Sequence, residues 1–360
     1  MGGLNSSDAP GLEQVSRIVA VSSCKGGVGK STVAVNTAFA MAASGLKVGL
    51  FDADIYGPSL TTLVNVEDTT LRVADDLVIP LERDGVRMMS FGWATQRKDE
   101  AAIMRGPMVS GVIRQLLATT RWGELDYLVL DLPPGTGDIQ LTLTQIVPIR
   151  GAVIVTTPQD LSFVDVVKGI RMFQRLKVPT LGVVENMSYF VCDNCGARSH
   201  PFGSGARKKL IEQFGIESAF ELPIDPMVSR MGDRGTPVVV SEPDSELSGS
   251  FRRIAEAVAA EVDRLEKGAV APPEVEYDES ENRIAVSWEE ESFSIEPRDL
   301  RRRCPCALCQ DEHSGKPKMG IDDIPEDLHP TSISPMGNYA VAIDWSDGHN
   351  SIYPHEKLRD

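Results

Sequence analysis

The chain has 360 residues, 42% of them hydrophobic, enough for one large α/β domain plus a smaller module and too apolar for global disorder. Its 52 acidic residues against 36 basic ones give a formal charge of −16. That argues against nucleic acid as a partner, because phosphate binding needs a concentrated basic surface.

No stretch approaches the ~18 apolar residues of a membrane span, so no membrane partner is expected. The first residues, Met1-Gly-Gly-Leu-Asn-Ser-Ser7, lack both a secretory apolar core and an Arg-rich transit pattern. The expected location is bacterial cytoplasm, or an organelle matrix or plastid stroma after removal of a presequence.

Residues 1–16 are polar and predict a flexible arm. From Arg17, short β-branched runs (Ile18–Ser23, Val48–Asp52, Tyr127–Leu132, Ala152–Thr157, Leu181–Glu185) alternate with helical stretches (Lys30–Ser44, Pro107–Thr120, Phe163–Leu176, Ala206–Phe214). Apolar runs without period-two alternation are strands buried on both faces, and βα alternation predicts a doubly wound α/β fold with a mainly parallel sheet. An amphipathic helix, Glu246–Lys267, closes a domain of residues 17–267, and residues 268–274 read as a linker.

Residues 275–360 hold 19 acidic and 9 basic residues, −10 of the total charge, and predict a small α+β domain. Ile284–Trp288 and Val341–Trp345 are look-alike strands 57 positions apart. Each Trp is followed nine residues later by a Pro (Pro297, Pro354) and then by Leu-Arg, an imperfect internal repeat.

Cys24-Lys-Gly-Gly-Val-Gly-Lys-Ser-Thr32 lies between a predicted strand and helix, the setting of a phosphate loop. Backbone N–H groups of Gly26, Gly27, Val28, Gly29, Lys30, Ser31 and Thr32 would converge on phosphate oxygens at a helix N-terminus. Lys30 would pair the β/γ-phosphates of ATP, and the Ser31 hydroxyl would ligate Mg²⁺. Leu128-Val-Leu-Asp131 has Walker B form, with Asp131 on the magnesium shell. Phe51-Asp-Ala-Asp54 and Pro133-Pro-Gly-Thr-Gly-Asp138 occupy the places of two switches, although an Asp at a strand end also caps helices.

Beyond Cys24, the cysteines fall in two tight clusters, spacings that favour metal ligation over a disulfide framework. Cys192 and Cys195 are too few for a closed site, but two copies of the chain supply four thiolates for one four-iron cluster or one zinc. A redox pair is the other reading. Cys304, Cys306 and Cys309 need one further donor for a tetrahedral zinc, or serve as an auxiliary iron–sulfur site.

The Lys25-Gly-Gly-Val-Gly-Lys-Ser31 form resembles the deviant Walker A ATPases. That resemblance implies a homodimer in which Lys25 reaches the partner's phosphates as an arginine-finger equivalent. It further implies that Asp54 activates the attacking water, that Asp52 sits near Mg²⁺, and that Asn186 reads adenine. Asp52–Ser59, Met104–Pro107 and Asp131–Asp138 are similar to the Mrp/ApbC iron–sulfur carriers and unlike Min or Par proteins. The likeness covers residues 17–265. With the C-terminal module it extends to the plant high-chlorophyll-fluorescence plastid type, whose usual N-terminal domain is not part of this sequence.

That family implies a four-iron cluster bridged across the dimer by Cys192 and Cys195, received from a cluster donor and passed to apo client proteins. The C-terminal module resembles the N-terminal domain of gamma-butyrobetaine hydroxylase, where a CxCxxC and a distant His bind structural zinc. Trp345-Ser-Asp-Gly-His349 matches that His setting, so Cys304, Cys306, Cys309 and His349 are the implied Zn²⁺ ligands. The expected function is an ATP-dependent iron–sulfur carrier. The rivals are a Par/Min-like positioning ATPase and a nucleotide-bound adaptor that recruits clients through its C-terminal domain.

Overall fold

β1 (Val15–Ser22) buries every residue from Ile18 to Ser22, the signature of a strand covered on both faces. The computed structural model describes residues 9–95, 106–135, 138–204, 214, 216, 218–267, 273–288, 291–306, 309–310, 318, 320–336 and 340–358. Met104, Arg105, Thr136, Gly137, most of the predicted Ala206–Phe214 helix and residues 268–272 of the predicted linker lie outside them. The chain divides into two compact units, residues 1–207 with 218–262, and residues 208–217 with 263–360.

In the first unit, β2 (Val48–Asp52), with β3 (Arg72–Ala74) and β4 (Leu77–Ile79) as a separate hairpin, precedes β5 (Leu81–Arg83), β6 (Val86–Ser90) and β7 (Leu125–Asp131). Then follow β8 (Ile149–Thr156), β9 (Thr180–Val191), β10 (Arg198–Ser199) and β11 (Ala219–Pro223). The main sheet runs β10-β9-β8-β1-β7-β2-β6-β5, with β11 also on β9. Pairings from β9 to β6, and of β11 with β9, are parallel; only β5 and β10 join antiparallel. This is the expected doubly wound, mainly parallel sheet. β1 pairs β7 on one side and β8 on the other, so the crossovers diverge there and open a crevice at its C-terminal end.

Helices Lys30–Ala43, Gly106–Thr119 and Asp160–Arg175 match the predicted stretches to within three residues. The predicted arm is corrected in its last part. Pro10–Leu12 forms a 3₁₀ turn, and β1 starts at Val15, in register with Leu125. Gly11 is buried, and a Cβ there would lie 2.0 Å from the Thr120 carbonyl oxygen. The segment is held by the close packing of Gly11 on backbone, which no side-chain pattern records.

The second unit contains the repeat in three dimensions. β12 (Glu274–Asp278), β13 (Arg283–Ser287) and β14 (Ser292–Ile295) form one antiparallel meander, followed by the helix Pro297–Arg302. β15 (Pro330–Met336), β16 (Ala340–Trp345) and β17 (Asn350–Pro354) form the other, followed by the 3₁₀ turn His355–Leu358. Each copy has three strands, with the look-alike strand in the middle. Ile284 and Val286 from one middle strand and Val341 and Ile343 from the other enter a single core with Trp345, Tyr353, Leu300 and Leu358.

Candidate functional sites

The crevice beyond β1 is a cavity of about 770 Å³, lined by Gly26, Gly27, Lys30, Ser31 and Thr32 from the loop and Asp54 from the segment after β2. Gly27 and Gly29 adopt left-handed backbone, φ +77° and +85°, which L side chains rarely tolerate. Gly29 caps the Lys30–Ala43 helix, so the loop delivers its N–H groups at that helix's positive end. Ser23 Oγ donates to the Lys25 carbonyl (2.9 Å) and shapes the turn, while Lys25 itself is exposed. That exposure is what a residue reaching a second copy needs.

Lys30 Nζ forms a buried ion pair with Asp131 and also donates to Ser31 Oγ at 3.2 Å. Burial pushes the Asp131 carboxyl above its usual range, against the pull of Lys30. Asp52 is 1% exposed and does not line the cavity. Its Oδ1 accepts from Asp54 N (3.0 Å), and its Oδ2 accepts from Leu60 N and Ser90 Oγ (both 3.1 Å). Burial, then the nearby Asp131 charge, raises its carboxyl to about 7. Asp52 therefore braces the first switch. Asp54 lines the cavity and is oriented by Gly57 N, which donates to its Oδ1 at 3.2 Å.

The hard oxygen donors Ser31 Oγ and Asp131, beside a second desolvated carboxylate, fit a divalent cation such as Mg²⁺. The cavity is also lined by Tyr56, within the Asp52–Ser59 segment, and by Met187, to neither of which the sequence assigned a role. Gln140, 1% exposed, accepts from Ser22 Oγ (3.3 Å) and donates to the Pro133 carbonyl, joining β1 to the second switch. Asp138 begins a helix, and its side chain lies outside the described residues.

Asn186, implied to contact adenine, turns its amide onto the loop, where Nδ2 donates to the Val28 carbonyl at 2.8 Å. A Cβ on Gly29 would stand 2.2 Å from that nitrogen. Gly29→Ala is accordingly expected to abolish ATP binding, since strain and collision coincide. Calorimetric titration checks it, with unchanged affinity as the contrary result.

Cys192 and Cys195 sit at the tip of the β9–β10 hairpin, half-buried and exposed respectively. Cys192 N donates to Ala197 O (3.0 Å) and Gly196 N to Cys192 O (2.8 Å), closing a tight turn with Gly196 at φ +69°. N–H groups of Asn194 and Cys195 aimed at the Cys192 sulfur hold its thiol below the usual range, which favours thiolate. Cys24 differs: burial raises its thiol to about 11, and it packs against the Asp160–Arg175 helix at Gly169.

In the second unit, Cys304, Cys306, Cys309 and His349 bring four donor atoms within 4.8 Å of one another. His349 Nε2 lies 3.3 Å from Cys304 Sγ and 3.6 Å from both Cys306 Sγ and Cys309 Sγ. Burial, then Arg301, lowers the His349 imidazole below its ordinary range, leaving it neutral and able to donate a lone pair. Arg301 Nη1 donates to Cys309 Sγ (3.2 Å) and Nε to Asp347 Oδ2 (2.9 Å), while Asp347 Oδ1 accepts from His349 N (2.9 Å). Three soft thiolates and one imidazole in a closed set fit Zn²⁺. The buried guanidinium offsets the extra thiolate charge; the run Arg301–Arg303 before Cys304 points to such a charge, while its contacts with Cys309 and Asp347 needed the fold.

Two family matches divide the chain where the units suggest. The NUBPL iron-transfer P-loop NTPase family, of the ParA group, matches residues 14–259, and the gamma-butyrobetaine hydroxylase-like N-terminal domain matches residues 275–359. The chain belongs to the iron-transfer P-loop NTPases. Within that family it is 51% identical over 354 residues to the chloroplastic Fe-S cluster assembly factor HCF101 of Arabidopsis thaliana, covering 97% of this chain and 65% of the relative. The chain thus spans about two thirds of that relative's length.

It is also 48% identical over 269 residues to the iron-sulfur cluster carrier protein of Salmonella typhimurium, covering 74% of this chain and 72% of the relative. A nucleotide-binding protein of Archaeoglobus fulgidus, solved with ADP, shares 40% identity at a TM-score of 0.59 over 69% of this chain and 97% of that one. Among the described residues no helix is long and apolar enough to cross a membrane.

Proposed function

We propose that this family member is an ATP-hydrolysing carrier of a four-iron cluster, held between two copies by Cys192 and Cys195 and passed to apo-proteins. The observation that supports it is the solvent-facing Cys192–Cys195 turn, biased toward thiolate, on the strand that also walls the nucleotide loop. Two thiolates per chain leave a four-ligand cargo incomplete without a second copy. Val191, 42% exposed beside Cys192, and Tyr56, 53% exposed at the cavity, are apolar surface that a second copy would cover.

In this reading Lys30 neutralises the transferred phosphoryl group. Lys25 of each copy adds positive charge at the other's site, and Asp54 orients the attacking water. Ser31 and Asp131 would hold Mg²⁺, which supplies charge neutralisation of the β/γ-phosphates. Asn186 supports the loop. Zinc on Cys304, Cys306, Cys309 and His349 would staple the second unit. The plant relative is named as chloroplastic, which favours a plastid location for this chain.

Anaerobic reconstitution with iron and sulfide tests the carrier reading. Wild type is expected to take up about four irons per dimer. Cys192→Ser and Cys195→Ser should each lose that iron while binding ATP normally. Full iron content with unchanged spectra in both variants would refute the bridging arrangement.

A further inference from the structure

We propose that a bulge at Asn186–Ser188 couples the nucleotide loop to the cysteine hairpin, so that the ligand on the loop sets the position of Cys192 and Cys195. The coupling rests on the carrier reading only for what those cysteines hold.

The register locates the bulge. β9 pairs with β8 as far as Glu185, opposite Thr156, and no further. Along β11, Glu221 faces Glu185 and Pro223 faces Tyr189, so three residues of β9 oppose Leu222 alone. Extra residues in one strand re-aim side chains, and such bulges concentrate beside functional sites.

Here they aim in two directions. Asn186 Nδ2 donates to Val28 O, and Met187, at φ +57°, lines the nucleotide cavity. Ser188 Oγ donates to Glu185 Oε1 (2.6 Å), while Ser188 O accepts from His200 Nδ1 (3.0 Å). His200 directly follows β10, the return strand of the cysteine hairpin. One short segment is therefore fastened to the phosphate loop at one end and to the hairpin at the other.

The chemistry at the loop end makes this fastening responsive. The Val28 carbonyl and the Gly29 N–H belong to one planar peptide unit. A phosphate oxygen that captures the N–H fixes the plane of that unit. It thereby fixes the direction of the carbonyl that Asn186 holds. Met187 is a non-glycine residue in the left-handed region, a strained conformation with relaxed alternatives close by.

Little slack exists toward the cysteines. Six extended residues from Asn186 to Cys192 span at most about 20 Å. Along them the Arg198 guanidinium lies 3.4 Å from the Tyr189 ring centre and is paired to Glu221 at 2.8 Å. A change of plane at Val28 thus reaches the hairpin through hydrogen-bonded, packed groups.

The test is alkylation of Cys192 and Cys195 by iodoacetamide in the reduced, cluster-free protein, read by mass spectrometry. Rates are compared with and without magnesium and a saturating non-hydrolysable ATP analogue. In wild type the nucleotide is expected to change the rate by about fivefold or more. In Asn186→Ala and His200→Ala the ratio should fall to about one, and His200→Ala should still bind nucleotide. His200→Asn, whose amide can replace the Nδ1 donor, should restore the ratio.

A nucleotide effect that survives in both alanine variants overturns the proposal and leaves dimer occlusion as its cause. No effect in wild type overturns it as well. Because the protein is cluster-free, this outcome is independent of the cargo. Failure of the carrier reading would instead appear as iron retained by the cysteine variants.

Discussion

Asp54→Ala and Lys25→Ala are expected to bind ATP with magnesium yet lose turnover, whereas Lys30→Ala loses binding itself. The distinction follows from where each side chain stands. Lys30 is buried at the cavity floor beside Ser31, so its ammonium is available to the bound phosphates before any chemistry. Asp54 lines the cavity from the other wall, held by the Asp52 and Gly57 contacts, where a water-orienting carboxylate acts only during hydrolysis.

Lys25 projects outward, and its charge would count only when a second copy closes. Removing a charge that acts at the transition state lowers kcat by about 10³-fold or more, with little change in Kd. Lys30→Ala carries a second effect. It strips Asp131 of its buried counter-charge, a loss worth about 3–5 kcal/mol, so binding must be compared on material shown by thermal melting to be folded. Single-turnover hydrolysis and equilibrium binding separate the three roles. Wild-type turnover in Asp54→Ala would remove that residue from the mechanism.

His349→Ala is expected to open the second unit to protease after residue 273 while ATPase activity persists. Residues 275–360 are few and their charge of −10 opposes compaction, so a metal linking the two repeat copies would contribute much of their stability. Cys304 shows the dependence most directly. It is fully buried, and burial raises its thiol to about 12, so it is a thiolate only with a cation at hand. Protons compete with the metal for all four donors. Metal-derived stability is therefore present at neutral pH and lost as pH falls and the ligands protonate.

Arg301→Gln should destabilise the same unit by about 3 kcal/mol, since it leaves Asp347 and the Cys309 sulfur without their buried partner. Elemental analysis is expected to find about one zinc per chain, retained in Cys192→Ser when iron is lost. Iron with acid-labile sulfide in place of zinc would make this a transfer site.

The sequence by itself determined the parts whose chemistry is local. A phosphate loop must be a contiguous run of glycines with Lys30 and Ser31, because consecutive backbone N–H groups do the binding. Buried parallel strands must be continuous apolar runs. Cysteines two or three apart must share a turn. The likeness of Ile284–Trp288 to Val341–Trp345 was visible because both copies place apolar residues at the same alternating positions, Ile284 and Val286 in one and Val341 and Ile343 in the other.

Only the tertiary structure decided contacts between residues distant in the chain. Asp52 reads as a magnesium neighbour from its motif, and the fold adds the donors on its oxygens, Asp54, Leu60 and Ser90, the last 38 positions away. Asn186 is implied to contact adenine, and a bulge visible only in strand register adds its bond to the Val28 carbonyl. Arg301 and Asp347 lie 46 positions apart, each beside a metal-ligand motif, but spacing did not show that the two would pair. Such partners are chosen by desolvation. A buried charge or amide must find whichever polar group the fold brings near, and sequence spacing does not record which one that is.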